Sequence, residues 1–404
     1  MDLSYGEKYE ALRQQVRRFL AEHKGRAPTG IGALADPGPS LAARREWQAL
    51  LIEKGFAART IPREYGGFGA DPDPLETVIL DEEFSAAHLP RGLAGQGIDM
   101  LVPTLLEHGS EEQKKRYIPP TLRGEMLWCQ GYSEPGSGSD LASLQTSAVE
   151  DGDDFLINGQ KSWTSTAQIS QMMFGLVRTE PDATKHAGIS YLLIPMDTPG
   201  IDVRPLRTMT GGAEFNEVFF NDVRVPQSNV VGKRGEGWRI ANTTLEHERN
   251  MLGNAGRIEG SLQLLIDLMK SEEIDGKAAI EHPIYLERLM ELQAWTLSLK
   301  YHSMRLLSCA SKGESPGVAG MVVKLSGCEL SHQVSKLAID LLGEIGILYR
   351  GSKHLRANGM WQFQYMFSLG LIIGGGTAQI QKNIISERGL GMPREPKPAT
   401  QDAA

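Results

Sequence analysis

Glu248 is the residue whose position first calls for a chemical explanation. In the run from Trp238 to Leu252, the apolar residues Trp238, Ala241, Leu245 and Leu252 mark one helical stripe. Glu248 falls on that stripe, at i+3 from Leu245 and i+7 from Ala241. A carboxylate on an apolar face needs a partner or a task, because burying it unpaired is costly. Partial burial also raises a carboxyl pKa, which suits a general base working near neutrality. The alternative reading is an ion pair with an arginine from another helix. Glu246 points to a neighbouring face and is the weaker candidate.

Two further segments carry reactive or ligand-approachable chemistry. Trp128-Cys129-Gln130-Gly131-Tyr132-Ser133-Glu134-Pro135-Gly136-Ser137-Gly138-Ser139-Asp140-Leu141 offers closely spaced backbone N–H groups, hydroxyls and glycines past which a ligand can approach. A flexible linker would have no need of Trp128, Tyr132, Glu134 and Asp140. Asn158-Gly159-Gln160-Lys161-Ser162-Trp163-Thr164-Ser165 places a large aromatic and hydroxyls just after what reads as a hairpin turn. Trp163 also reads, more plainly, as a core aromatic.

The elements that must position these segments follow from periodicity. Leu12, Val16, Phe19 and Leu20 share one helical face. A Pro/Gly-rich gap (Arg26 to Pro39) precedes a helix over 41–54, residues 61–72 read as loop, and helices follow over 75–87, 98–108 and 111–123. Between about 142 and 231 come short β-rich runs, 155–158, 172–178, 189–196, 201–206 and 217–225, separated by turn residues. Such spacing predicts a small sandwich or barrel. From Gly235 to about Arg388 the helical period returns, with long stretches at 282–310 and 318–342 suited to a bundle. The expected class is therefore α+β multidomain, with an α-helical domain over 1–125, a β-barrel over 126–232 and a four-helix bundle over 233–404.

Composition narrows the function classes. The 404 residues carry 50 acidic against 42 basic side chains, a net charge of -8, which argues against general nucleic-acid binding. No apolar run reaches the roughly 18 residues of a membrane helix. Cys129, Cys309 and Cys328 lack metal or redox spacing, and the nine histidines do not cluster, so no metal is expected. The first residues lack a secretory layout, which makes the cytoplasm the expectation. The segment Gly136–Asp140 has no strand–loop–helix G-x-G-x-x-G around it, which disfavours a nicotinamide fold.

The two segments resemble the flavin-binding signatures of the acyl-CoA dehydrogenase family, T/S-E-P-x-x-G-S-D and K-x-W-I/T-T/S. Glu64-Tyr65-Gly66-Gly67, His108 to Lys114, Phe219 to Pro226 and Gly235-Glu236-Gly237-Trp238 are further similar landmarks, in the family's order from about residue 5 to 394. The resemblance implies the same three-domain plan, FAD as cofactor and α,β-dehydrogenation of an acyl-CoA thioester. It implies that Gln130, Tyr132 and Ser133 line one side of the isoalloxazine, Trp163 and Ser165 the other, and that Ser139 lies where the family contacts the acyl-CoA, serving cofactor and substrate both. Thr377 and Gln379 fall at further flavin contacts, and the backbone N–H of Gly375 at a donor to the thioester carbonyl. An electron-transfer flavoprotein is the implied electron acceptor, and a homotetramer or α2β2 heterotetramer the implied assembly.

Departures from the pattern are as informative. The commonest family base precedes Gly-Thr near the C-terminus, and here Gly375 stands in that place. A branch similar to isovaleryl-CoA dehydrogenase and bacterial steroid side-chain dehydrogenases carries its base in an x-x-Glu-Arg pattern, which Glu248-Arg249 matches, with Arg249 supporting substrate or a neighbouring carboxylate. The R-x-x-F-G motif is missing, and Q-x-x-G-G-x-G reads Asp340 to Gly346, so the flavin contacts offered to a neighbouring subunit are eroded. Three readings stand: a dehydrogenase using Glu248, an oxygen-using oxidase or monooxygenase on the same fold, and a non-catalytic subunit completing a partner's flavin site. The glycine run at 374–376 removes bulk, which is compatible with a branched or ring-bearing acyl group.

Overall fold

The computed structural model describes residues 6–28, 40–252, 255–315, 317–349 and 351–394. The chain divides into two compact units, one of residues 1–251 and 348–366, the other of 252–347 and 367–404.

The first unit opens with helices α1 (Glu7–His23), α2 (Leu41–Glu53), α3 (Pro74–Ala86), α4 (Val102–His108) and α5 (Glu111–Leu122). Their starts are written locally. Asp73 caps α3 by accepting from Leu75 and Glu76 N–H, with Pro74 supplying a preset first-turn φ. Ser110 and Gln113 close a reciprocal capping box on α5. The stretch 61–72, expected as loop, contains one short 3-10 turn, Arg63–Tyr65, ended by Gly66 at φ +84°.

Eight strands follow: β1 (Trp128–Gly131), β2 (Ser147–Asp151), β3 (Asp154–Ser165), β4 (Met172–Arg178), β5 (Ile189–Pro195), β6 (Ile201–Leu206), β7 (Phe215–Pro226) and β8 (Val230–Val231). They form one sheet in the order β6-β7-β3-β2-β4-β5-β8, with β1 added in parallel to β4. The nearly continuous apolar runs of β4 and β5 are buried on both faces. Phe174, Leu176, Tyr191 and Leu193 pack with Leu105, Tyr117 and Ile118 from the helices. Met173, Val177, Leu192 and Ile194 face the second core with Cys129, Val218 and Phe220. The sheet is thus the wall between two cores, and β1, carrying Gln130, is held along its centre.

One turn expectation is corrected. Asn158-Gly159 lies inside β3, not in a hairpin; the turn is at Gly152, φ +67°. Gly159 serves a register shift against β7, and a Cβ there would overlap Thr146. Strands β1, β2 and β8 escaped the sequence reading because they are short and lack alternation. After the sheet, α6 (Gly237–Leu252) closes most of the first unit.

The second unit contains α7 (Ala255–Ser271), a small hairpin of β9 (Glu273–Ile274) and β10 (Lys277–Ala278), α8 (Pro283–Ser311) and α9 (Val318–Leu342). The helical period does not run unbroken from there. A 3-10 turn at Gly343–Ile347 precedes α10 (Met360–Ile373), most of whose second half belongs to this unit, and α11 (Ala378–Ile384).

Candidate functional site

The two glycine- and hydroxyl-bearing segments interlock in the first unit. The Ser162 N–H on β3 donates to the Ser133 carbonyl at 2.8 Å. Beyond Ser133 the chain folds into a tight turn in which Glu134 and Ser137 exchange backbone hydrogen bonds at 2.9 and 3.0 Å. Ser137 Oγ then donates to the Asp140 and Leu141 carbonyls, fixing the exit of the loop. Gln130 sits half-buried on β1 with its N–H on Gln96 Oε1, and Ser139 stands exposed on the loop. Gly136 and Gly138 have open space where a Cβ would be, so something can approach the backbone there. Gly131 differs: a Cβ would overlap the Met173 sulfur, so packing and not ligand approach explains that glycine.

A bulge aims Trp163. Lys161 pairs with Val218 and Thr164 with Asn216, so Ser162 and Trp163 together oppose one residue of β7. Such an insertion re-aims a side chain, and Trp163 takes φ +59°. Its indole is 62% exposed, flanked edge-on by Phe215 at 6.0 Å, while Lys161, Ser162 and Thr164 are buried. The reading of Trp163 as a core aromatic is overturned. Ser165, half-buried, ends the strand beside it.

Buried polar atoms lacking a partner gather in this region. Tyr132 Oη, Ser162 Oγ, Thr164 Oγ1, Glu214 Oε1 and Asn216 Oδ1 lie on the two segments or on the residues at the start of β7 facing them. Buried polar groups are ordinarily satisfied, so a cluster of orphans beside an exposed indole fits a ligand with both a planar ring and polar edges. Flavin has that chemistry, and the residues present fit it.

Tyr132 connects this region to α6. Its ring packs edge-on against Phe174 and Tyr191, at 6.0 and 6.2 Å. Thr244, fully buried on α6, donates to Tyr191 Oη at 3.3 Å and shares a 2.9 Å bond with Thr104 Oγ1. Burial pushes the Tyr132 phenol well above its ordinary range, helped by Tyr191 and by the negative charge of Glu248. Glu248, one helical turn beyond Thr244 and so on the same face of α6, is half-buried. Trp238 and Leu245 pack against the same core, whereas Glu246 is exposed. The Arg249 side chain lies outside the described residues.

The remaining candidates belong to the second unit. Gly375 and Gly376 take φ +65° and +94° in the turn after α10. The buried Lys324 amine of α9 donates to the Ile372 carbonyl at 3.1 Å and to the Gly376 carbonyl at 2.7 Å. Gln381 Nε2 donates to the Gly375 carbonyl, which leaves that residue's fixed N–H as its remaining backbone group. Thr377 caps α11 by accepting from Ile380 N–H, and Gln379 is exposed. Asp340 is paired with Arg288 at 2.7 Å.

Sequence reasoning did not assign roles to Lys161 and Glu134, although both stand in the quoted motifs. Nor did it find the Thr104–Thr244–Tyr191 chain, whose members are far apart in sequence. Among the described residues no group of three or more His, Cys, Asp or Glu could hold a metal ion, and no helix is long and apolar enough to cross a membrane.

The chain is similar to known proteins along nearly its whole length. Models of the acyl-CoA dehydrogenase N-terminal, middle and C-terminal domains match residues 6–125, 129–223 and 235–390. The acyl-CoA dehydrogenase IpdE1 of Mycobacterium tuberculosis is 40% identical over 394 residues, 96% of this chain and 99% of that protein. The human mitochondrial short-chain specific acyl-CoA dehydrogenase is 28% identical, covering 82% of this chain and 79% of its own length. Among solved structures, a chain of the ChsE4-ChsE5 complex from Mycobacterium tuberculosis aligns with a TM-score of 0.81 and 33% identity, over 98% of this chain and 100% of that one. The Tcur3481-Tcur3483 steroid ACAD aligns with a TM-score of 0.80 at 29% identity, over 98% of this chain and 100% of its own.

Proposed function

The chain belongs to the acyl-CoA dehydrogenase family, and within that family's reaction we propose Glu248 as the general base. The activity is FAD-dependent α,β-dehydrogenation of an acyl-CoA thioester to the trans-2-enoyl-CoA. The observation that supports Glu248 is its half-buried place on α6 one turn beyond Thr244, whose hydroxyl donates to Tyr191 Oη against the Tyr132 ring. Gly375, where the commonest family base would stand, has no side chain to offer.

In this reading a Glu248 carboxylate oxygen takes the α proton, and FAD, when bound, supplies the acceptor for the β hydride. Gln130, Tyr132, Ser133, Trp163 and Ser165 hold the flavin ring, with Thr377 and Gln379 as further contacts. Ser139 and Arg249 serve the acyl-CoA. Charge grows on the thioester oxygen as the α proton departs, so a preorganised donor there lowers the barrier, and the Gly375 N–H is assigned that task. The Tyr132 phenol stays protonated at neutral pH and keeps its O–H for donation. The test is a primary deuterium isotope effect on flavin bleaching with α-deuterated acyl-CoA. Wild type and Glu246→Gln should bleach and show it, and Glu248→Gln should bleach at least about 100-fold more slowly. Bleaching lost in Glu246→Gln and kept in Glu248→Gln would reverse the assignment.

A hetero-oligomer is favoured over a homotetramer by one specific feature. Asp340 replaces the glutamine of the neighbour-facing motif, and its carboxylate is engaged by Arg288. A carboxylate is a poor ligand for a pyrophosphate, so this chain supplies one side of a flavin site and takes a different subunit as partner. The structural relatives named as ChsE4-ChsE5 and Tcur3481-Tcur3483 pairs are consistent with that. Electrons pass to an electron-transfer flavoprotein, and a ring-bearing acyl group is the proposed substrate class. Titrating straight-chain, branched and steroid CoA esters against flavin absorbance tests the last point.

A further inference from the structure

Lys161 is a lysine whose side chain is 1% exposed, on the strand that carries Trp163. A buried ammonium persists only where its charge and its donors are answered. Its Nζ lies 2.8 Å from Glu134 Oε1 and donates to the Tyr132 carbonyl at 3.2 Å. Glu134, also buried, is satisfied from the other side. Its carboxylate accepts from the Gln145 N–H at 2.6 Å and the Thr146 N–H at 2.9 Å. The pair therefore grips three stretches of chain at once: the end of β1 at Tyr132, the tight turn at Glu134–Ser137, and the entry to β2. The Ser162 N–H, next along β3, takes the Ser133 carbonyl. Between them, two adjacent residues of β3 hold the carbonyls of Tyr132 and Ser133, so the side chains of those residues have no freedom to slide along the strand.

We infer that the Lys161–Glu134 pair is a positioning device for FAD, setting the place of Tyr132 and Ser133 by gripping the backbone between β1 and the glycine turn. This rests on the assignment of Tyr132 and Ser133 to the flavin ring. Neither Lys161 nor Glu134 touches the cofactor in this account; they act through the backbone they hold. Among the described residues, Glu134 is the charged group that acts on the Lys161 amine, and Lys161 the charged group that acts on the Glu134 carboxylate. Burial pulls the amine down to about 8, against the attraction of Glu134. Burial alone would raise the Glu134 carboxyl, but the Lys161 ammonium and the hydrogen bonds from Thr146 and Gln145 hold it below its ordinary value. Both groups are charged at pH 7, and as the pH rises through about 8 the grip loses its positive charge and with it the charge-assisted part of its bonds.

The experiment measures FAD affinity and thermal melting separately on the full-length protein. Lys161→Met strands the Glu134 carboxylate and should lower the melting temperature. Lys161→Met/Glu134→Gln removes the stranded charge and should recover most of the melting temperature. Its FAD dissociation constant should nevertheless stay at least about tenfold weaker, because nothing grips the Tyr132 carbonyl. In wild type the dissociation constant should rise up to about tenfold per pH unit above pH 8, and in the double variant it should be flat. Wild-type affinity in a double variant that melts normally would overturn the inference. If the double variant folds poorly, wild-type FAD affinity in Lys161→Met, measured well below its melting transition, would overturn it. Ser133→Ala leaves the pair in place and separates the two ideas. Weakened FAD binding in Ser133→Ala with none in the double variant sinks the positioning role alone. Unchanged binding in both sinks the assignment of the segment to the flavin.

Discussion

The Ser162 N–H donates to the Ser133 carbonyl at 2.8 Å, joining the two flavin-signature segments by their backbones. The residues proposed to flank the flavin ring on the first unit, Tyr132 and Ser133 on one side and Trp163 and Ser165 on the other, are spaced by that bond and by the Lys161 grip beside it. The bulge that exposes Trp163 starts at the same residue, Ser162. Position and exposure are thus fixed together.

Tyr132→Phe separates the cost of an orphaned hydroxyl from its use. Its Oη lies buried close to the Tyr191 and Thr244 hydroxyls without meeting good hydrogen-bond geometry to either, so removing it should change stability by no more than about 1 kcal/mol. The flavin-free protein should therefore melt close to wild type, while FAD affinity should fall several-fold. A fall in flavin-free stability of more than about 2 kcal/mol would mean that the hydroxyl is already satisfied within the chain.

The glycines of the first segment should behave in two ways. Gly131→Ala puts a methyl into the Met173 side chain, an overpacking that costs about 1–3 kcal/mol. Gly136→Ala meets nothing within 4 Å, so its melting should not change, yet FAD affinity should weaken if a ligand approaches that backbone. Paired melting and flavin-binding measurements read both effects. Identical behaviour of the two variants would contradict the distinction.

Much of this was legible before the fold was known, and the exceptions have physical reasons. Strands β4 and β6 and helix α9 match the sequence reading because their runs are bounded by clear breaks. Glu248 stands out in the sequence by its helical spacing and by the x-x-Glu-Arg resemblance, and in the structure it is half-buried on α6. Asn158-Gly159 misled because a dipeptide that favours a hairpin also serves a bulge, and only the partner strand decides between them. Trp163 could not be told from a core aromatic, since a bulge leaves no pattern in one strand. The Lys161–Glu134 pair was hidden because its meaning lies in which backbone groups it reaches, and spacing carries no trace of that.

In the second unit, Lys324→Met should loosen the turn that presents Gly375. The ammonium caps the Ile372 and Gly376 carbonyls, and charge-assisted bonds of this kind contribute about 1.5–3 kcal/mol each. If the Gly375 N–H serves the thioester, the turnover number should drop about tenfold or more while flavin content is retained. Lys324→Arg should rescue part of it. Loss of flavin in parallel with activity would point instead to a general failure of folding.

The central claim is that Glu248 takes the α proton, and anaerobic single-turnover bleaching of the flavin by acyl-CoA tests it most directly. Removing a general base typically costs about 10²–10⁴-fold. The predicted result is a Glu248→Gln protein that is yellow, with wild-type flavin content, and bleached at least about 100-fold more slowly than wild type. Bleaching within about threefold of the wild-type rate would contradict the claim and return the search for the base to other residues.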